Sequence, residues 1–115
     1  ANFDLERPLI EKHDTSICLD IGHLFITGGD IRAFYARDAS RIRAIHAHNV
    51  RAEIAKHPFN WRLVDHYGLS SGLLDYVEIL GWLTESGFSG TFVVEIRNSE
   101  GAEDSMTFPR KHGFV

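Results

Sequence analysis

Three short apolar runs constrain the fold of this chain most, because each ends in an acid or an imidazole. Ser16-Ile17-Cys18-Leu19 leads into Asp20-Ile-Gly-His23, and Ile42-Arg43-Ala44-Ile45 leads into His46-Ala-His48-Asn49. Thr91-Phe92-Val93-Val94 leads into Glu95. Strands built for burial ordinarily end in turn residues, so chemically active groups at the same end of three of them indicate a shared rim. Helical patterns separate the runs. Asp4 can cap a helix near Leu5–Lys12, with Pro8 close to its start, and Asp30 can cap one over Ile31–Asp38 that presents Ile31, Phe34 and Tyr35 on one face. Asp75 opens a third helix with Glu78 in capping-box spacing; Leu73, Val77, Leu80, Trp82 and Leu83 supply its apolar surface and Gly87 stops it. The tail over Ser99–Phe108 reads as a short helix ended by Pro109. Strands alternating with helices imply right-handed crossovers and a parallel α/β sheet.

Two segments are less regular. Gly28-Gly29 marks a loop after the first strand, too short a glycine feature to read as a phosphate cradle. Residues 50–72 carry Pro58, Gly68 and Gly72, with Leu63-Val64 the core of a very short strand expected around Leu63–His66. Trp61 and Tyr67 there read as loop packing or as walls of a substrate pocket, and His13, His57 and His112 as solvent-facing residues.

At 115 residues the chain suits one domain over 1–115, and its 43% hydrophobic content is that of a globular protein. No apolar stretch approaches the roughly 18 residues of a spanning helix, so no membrane partner is expected. The opening Ala1-Asn2-Phe3-Asp4 lacks the basic and apolar regions of a secretory signal. The only methionine is Met106, so the chain starts either after a removed initiator or partway through a longer protein. The single cysteine, Cys18, excludes an internal disulfide framework and fits a reducing cytoplasm. Its place in an apolar strand predicts a buried structural thiol. A net charge of −4 with no block of Lys or Arg argues against a nucleic-acid partner.

Carboxylates supply hard oxygen and neutral imidazoles supply nitrogen, a mixture suited to a divalent ion such as manganese, cobalt, magnesium or zinc. Asp20 and His23, three residues apart at a strand-to-loop transition, can turn to one side; His46 and Glu95 would leave the other two strands at the same rim. His48 and Asn49 follow as substrate or supporting residues, and Arg97 can hold a substrate phosphate or pair with a neighbouring acid.

The strings ICLDIGH, RIRAIHAHN, HYGLSSGLLDY and GFSGTFVVEIR, spread over Ile17 to Asn98, resemble the xylose isomerase-like TIM-barrel superfamily. That group holds sugar and sugar-phosphate isomerases and epimerases together with the apurinic endonuclease branch. The resemblance implies the C-terminal half of a (β/α)8 barrel, about strands five to eight, since a whole barrel takes about 200–250 residues. By the same resemblance Asp20 and His46 are metal ligands, and Glu95 is a metal ligand that also transfers a proton. His23 is a substrate contact with a catalytic part in isomerases and a metal ligand in endonucleases. His66 matches the histidine of a His-x-x-Leu-Gly-x-Gly string in which Ser70 replaces the first glycine, and is read with His48 and Arg97 as substrate-binding. The endonuclease pattern places an Asp two residues before that histidine, where this chain has Val64 with Asp65 adjacent. The isomerase pattern wants a Glu after the fourth strand, near Ala1-Asn2, where none stands.

The leading expectation is therefore a divalent-metal-dependent isomerase or epimerase of a sugar or sugar phosphate, in which Glu95 moves a proton between carbons with help from a carboxylate outside this chain. A zinc phosphodiesterase of the endonuclease type is one alternative. A noncatalytic half barrel is the other, self-associating or docking with an N-terminal half, because an open half barrel exposes two sheet edges.

Overall fold

The computed structural model describes residues 6–51, 64–97 and 101–114. In chain order the elements are α1 (Arg7–His13), β1 (Ile17–Asp20), α2 (Ile21–Ile26), α3 (Ile31–Asp38), β2 (Ile42–Ala47), α4 (Tyr76–Glu85), β3 (Thr91–Val94) and α5 (Ala102–Lys111). The strands form one parallel sheet in the order β1-β2-β3, with Asp20 level with His46 and His46 level with Val93. All three strands therefore end at the same rim, as their sequences require.

Local chemistry sets the helix starts. The carboxylates of Asp20, Asp30 and Asp75 accept from the backbone N–H of His23, Ala33 and Glu78 at the heads of α2, α3 and α4. Each satisfies one of the orphan donors of a first turn. Gly87, at φ 74°, takes the left-handed position that ends α4.

The described helices cover one face of the sheet. Ile17, Leu19, Ile45 and Ala47 point into a core with Phe34 and Tyr35 of α3, Tyr76, Ile79, Leu80, Trp82 and Leu83 of α4, and Phe108 of α5. On the opposite face the register aligns Cys18, Ala44 and Thr91, with Val93 beyond them, and Cys18, Thr91 and Val93 are exposed. Helix α1 buries no residue fully; Ile10 packs partly buried against the core, and Arg7 grips both oxygens of Asp38 at 2.5 and 2.9 Å. That guanidinium holds the Asp38 carboxyl below its ordinary range.

Several expectations are corrected. Cys18 is exposed, because strand alternation turns it to the uncovered face. Leu73 and Val77 are also exposed, the buried stripe of α4 running through Tyr76, Ile79, Leu80 and Leu83 instead. Helix α2 occupies what reads as loop in the sequence. Pro109 lies inside α5; so near the C-terminus it removes one helical hydrogen bond, and His112 and Phe114 still donate back to the last turn. No fourth strand intervenes between β2 and β3, which bond directly, and Val64 to His66 form a turn and bends. Tyr67 joins Asn49 in an isolated antiparallel bridge. His57, Trp61 and Leu63, and the Asp4 cap, lie outside the described residues.

Candidate metal centre at the sheet rim

The rim collects the groups that the strands deliver. One ligand atom each from Asp20, His46 and Glu95 lies within 4.8 Å of the others. Asp20 ends β1, His46 is the penultimate residue of β2, and Glu95 follows β3, held there by its backbone N–H donating to Ala47 at 2.9 Å. His46 Nδ1 is 3.0 Å from Glu95 Oε1, and all three side chains are about a quarter to a third exposed. They face the side of the sheet that no described helix covers.

A second layer of imidazoles stands beside them. His23, on the first turn of α2, sets Nδ1 2.8 Å from Asp20 Oδ2 and Nε2 3.0 Å from Asp65 Oδ2. With a carboxylate on each ring nitrogen, both are placed to donate. Burial opposes the charged ring, but Asp65 and Asp20 outweigh it and raise the His23 pKa. Burial would likewise raise Asp20, yet hydrogen bonds from His48 and from the His23 backbone hold its carboxyl far below the usual range. His66 sits 3.0 Å from Asp65 and 3.7 Å from Glu95, on a left-handed backbone of φ 58° that non-glycine residues adopt rarely.

The sequence reading did not single out Asp65 as a site residue. Its side chain is fully buried and binds His23, His66 and Arg97 at once; burial pushes its pKa up, and the two imidazole hydrogen bonds bring it below the ordinary value. Val64 is buried in a small apolar cluster with Ile26 and Val50, so the acid one residue later is the one that reaches the rim. The available signal was the adjacency of Asp65 to His66, with Arg97 after the third strand as its counter-charge.

The expected residues thus divide. Asp20, His23, His46, His66 and Glu95 meet at one rim. Arg97 meets them too, but its charge is engaged by Asp65 and it lies 3.3 Å from His66 Nδ1. His48 and Asn49 are fully buried beneath the rim, which does not suit direct contact with substrate. The Cys18 thiol is pushed up by local burial and by the negative charge of Asp20 and Glu95, which disfavours a nucleophilic thiolate.

A family profile described as "Xylose isomerase-like TIM barrel" matches residues 7–112. The chain belongs to that family. Its three parallel strands and flanking helices are part of such a barrel, with the site at the C-terminal ends of the strands, where barrels of this kind carry their chemistry. Among curated proteins it is similar to two inosose dehydratases, one from Lacticaseibacillus casei and one from Lacticaseibacillus casei strain BL23. Each is 27% identical over 103 residues, covering 83% of this chain and 35% and 34% of the relatives. The chain spans about a third of the length of these relatives. Among the described residues no helix is long and apolar enough to cross a membrane.

The donor set fits the divalent cation that xylose isomerase-like barrels generally bind. Two carboxylates and an imidazole converge on one open face, and among the described residues the ion-pair partners of Asp20 and Glu95 are imidazoles, with no Lys or Arg neutralising either acid. Mixed oxygen and nitrogen ligands of this kind suit manganese, cobalt, magnesium or zinc alike.

Proposed function

We propose that this chain carries the metal-binding rim of an enzyme that moves a proton next to the carbonyl of a sugar, sugar phosphate or related polyol ketone, isomerising or epimerising it. The convergence of Asp20, His46 and Glu95 within 4.8 Å at neighbouring strand ends is the observation that supports this reading. A divalent cation on these residues would polarise the substrate carbonyl and its neighbouring hydroxyl. Glu95 then takes the proton from carbon: one of its oxygens is fixed by His46, and it stands at the open face where a substrate would lie. The proton returns to the neighbouring carbon from Glu95, or to the opposite face of the same carbon from a second carboxylate. His23, donating from both ring nitrogens to Asp20 and Asp65, holds Asp20 at the rim. An opposing carboxylate comes from outside this chain.

The same first step serves a second outcome. Removing a proton beside a ketone also prepares loss of a hydroxyl one carbon further on, and the name of the inosose dehydratase relatives favours keeping dehydration as the second reading. The zinc phosphodiesterase reading has less support, since a net charge of −4 gives a polynucleotide little long-range attraction.

Aldoses, ketoses and inososes incubated with the protein and Mn(II) in deuterated water decide the matter. The expected result is deuterium on the carbon beside the carbonyl, lost on chelation and restored by Mn(II). Unlabelled substrate in every case, or labelling indifferent to chelation, overturns the proposal. An enone product in place of a rearranged sugar selects dehydration.

We also propose that the uncovered sheet face, with Cys18, Thr91 and Val93, is closed by a second half barrel. The two outer strands, β1 and β3, have no strand beyond them among the described residues, and such edges pair readily. Sedimentation equilibrium of the chain by itself should give a dimer or larger assembly. A well-dispersed monomer rejects self-association and leaves an N-terminal half as the partner to be tested by mixing.

A further inference from the structure

His48 has no place in the chemistry proposed above, yet it is held at both ring nitrogens directly beneath it. It lies one residue beyond β2, is fully buried, and has a hydrogen-bond partner at each ring nitrogen. Nε2 is 3.0 Å from Asp20 Oδ1, and Nδ1 is 2.9 Å from the backbone nitrogen of His66. A backbone N–H only donates, so Nδ1 must accept, which puts the ring proton on Nε2, facing Asp20. A longer approach of Nδ1 to the Asn49 carbonyl, at 3.5 Å, would demand the opposite tautomer. That tautomer would strand the His66 N–H and set a lone pair of Nε2 against the carboxylate. The shorter pair of contacts wins.

The seat of the ring is equally specific. A Cβ on Gly22 would come within 2.1 Å of His48 Cε1, so only glycine at the start of α2 leaves room for the imidazole. Tyr76 of α4 donates its hydroxyl to the His48 carbonyl at 2.8 Å. Sheet, α2, α4 and the His66 turn all meet on this one residue.

We propose that His48 is a positioning residue for the metal carboxylate: its Nε2–H fixes the rotamer of Asp20 so that the remaining lone pairs of that acid face His46 and Glu95, while its Nδ1 holds the left-handed turn that presents His66. The inference rests on Asp20, His46 and Glu95 binding a cation. Neutral hydrogen bonds to ligating carboxylates commonly set metal affinity by ten- to a hundredfold.

Two amide substitutions separate the halves of this role. In His48→Gln the amide nitrogen reaches the place of Nε2 and keeps the donor to Asp20. In His48→Asn the amide oxygen reaches the place of Nδ1 and keeps the acceptor for His66, but the donor to Asp20 is gone. Each loses one hydrogen bond, so a merely structural role predicts similar losses for both. Mn(II) titration followed by electron paramagnetic resonance should give His48→Gln an affinity within about threefold of the parent, and His48→Asn one about 10–100-fold weaker. Long-range nitrogen-15 spectra of the metal-free protein should show His48 protonated at Nε2. Equal Mn(II) affinities for the two variants, or a proton on Nδ1, overturn the inference and leave the metal reading standing. A parent chain that binds no Mn(II), with Asp20→Asn indistinguishable from it, overturns both.

Discussion

Replacing Glu95 with Gln should lower deuterium incorporation at the substrate carbon by about 10²–10⁴-fold, the range that loss of a positioned general base produces. The amide keeps the size of the side chain, so the β3 backbone and its bond to Ala47 are undisturbed. A side chain about one-third exposed adds little to the core, and the melting temperature should move by no more than a few degrees. Since Glu95 is also proposed as a ligand, the variant should bind Mn(II) more weakly, and the two losses must be separated. Saturating Mn(II) restores occupancy but cannot restore a proton acceptor. Exchange that stays low at saturating metal identifies Glu95 as the base; exchange that recovers fully reduces it to a ligand and removes the proton-transfer step assigned to it. Glu95→Asp, which retains a carboxylate on a shorter arm, should fall between.

The parts of this site that could be read from the sequence are those fixed by local rules. Alternation within β1, β2 and β3 is set by near neighbours, as are the Asp30 and Asp75 caps. Once the strands are parallel, their terminal Asp20, His46 and Glu95 must share a rim. What escaped depends on distant contacts. Asp20 reads as a strand-end ligand, and nothing local says that it also starts α2 and so lifts His23 onto a helix. Asp65 stands one residue away from the position of the family pattern, in a stretch with no periodicity; its counter-charge Arg97 is 32 residues on. Over Val64–His66, the described part of the expected Leu63–His66 strand, no strand forms, because β2 and β3 already satisfy each other's ladder. Cys18 and Val77 were misjudged for a common reason: an apolar pattern says which side chains can be buried, not which faces have a partner to bury them.

Asn49 exposes the same limit and carries the second large prediction. Placed after His46 and His48 it reads as a substrate contact, yet it is the buried clamp of the following turn. Its amide nitrogen donates to the carbonyls of Leu69 and Leu74 at 2.9 and 3.0 Å, and its oxygen accepts from Val50 and Leu74 at 2.8 and 2.9 Å. That fills the whole hydrogen-bonding capacity of an Asn side chain. Its backbone also forms both bonds of the bridge to Tyr67, next to His66. Asn49→Asp preserves shape and both accepted bonds but turns two donors into a charge facing two carbonyls. The expected cost at neutral pH is about 3–5 kcal/mol, the scale of a buried charge left without its counterpart. The sign with pH follows from linkage: burial among carbonyls raises the folded-state pKa of the new carboxyl. The variant is therefore relatively most stable below its unfolded value near 4, and loses ground as pH rises through the folded value. Urea denaturation of parent and variant at pH 4 and pH 7 should show the gap widening toward neutrality, with Asn49→Ser costing less at pH 7 than Asn49→Asp does. A variant within about 1 kcal/mol of the parent at pH 7 would mean that the turn is not locked by this amide, and that the left-handed presentation of His66 has to be held by His48 alone.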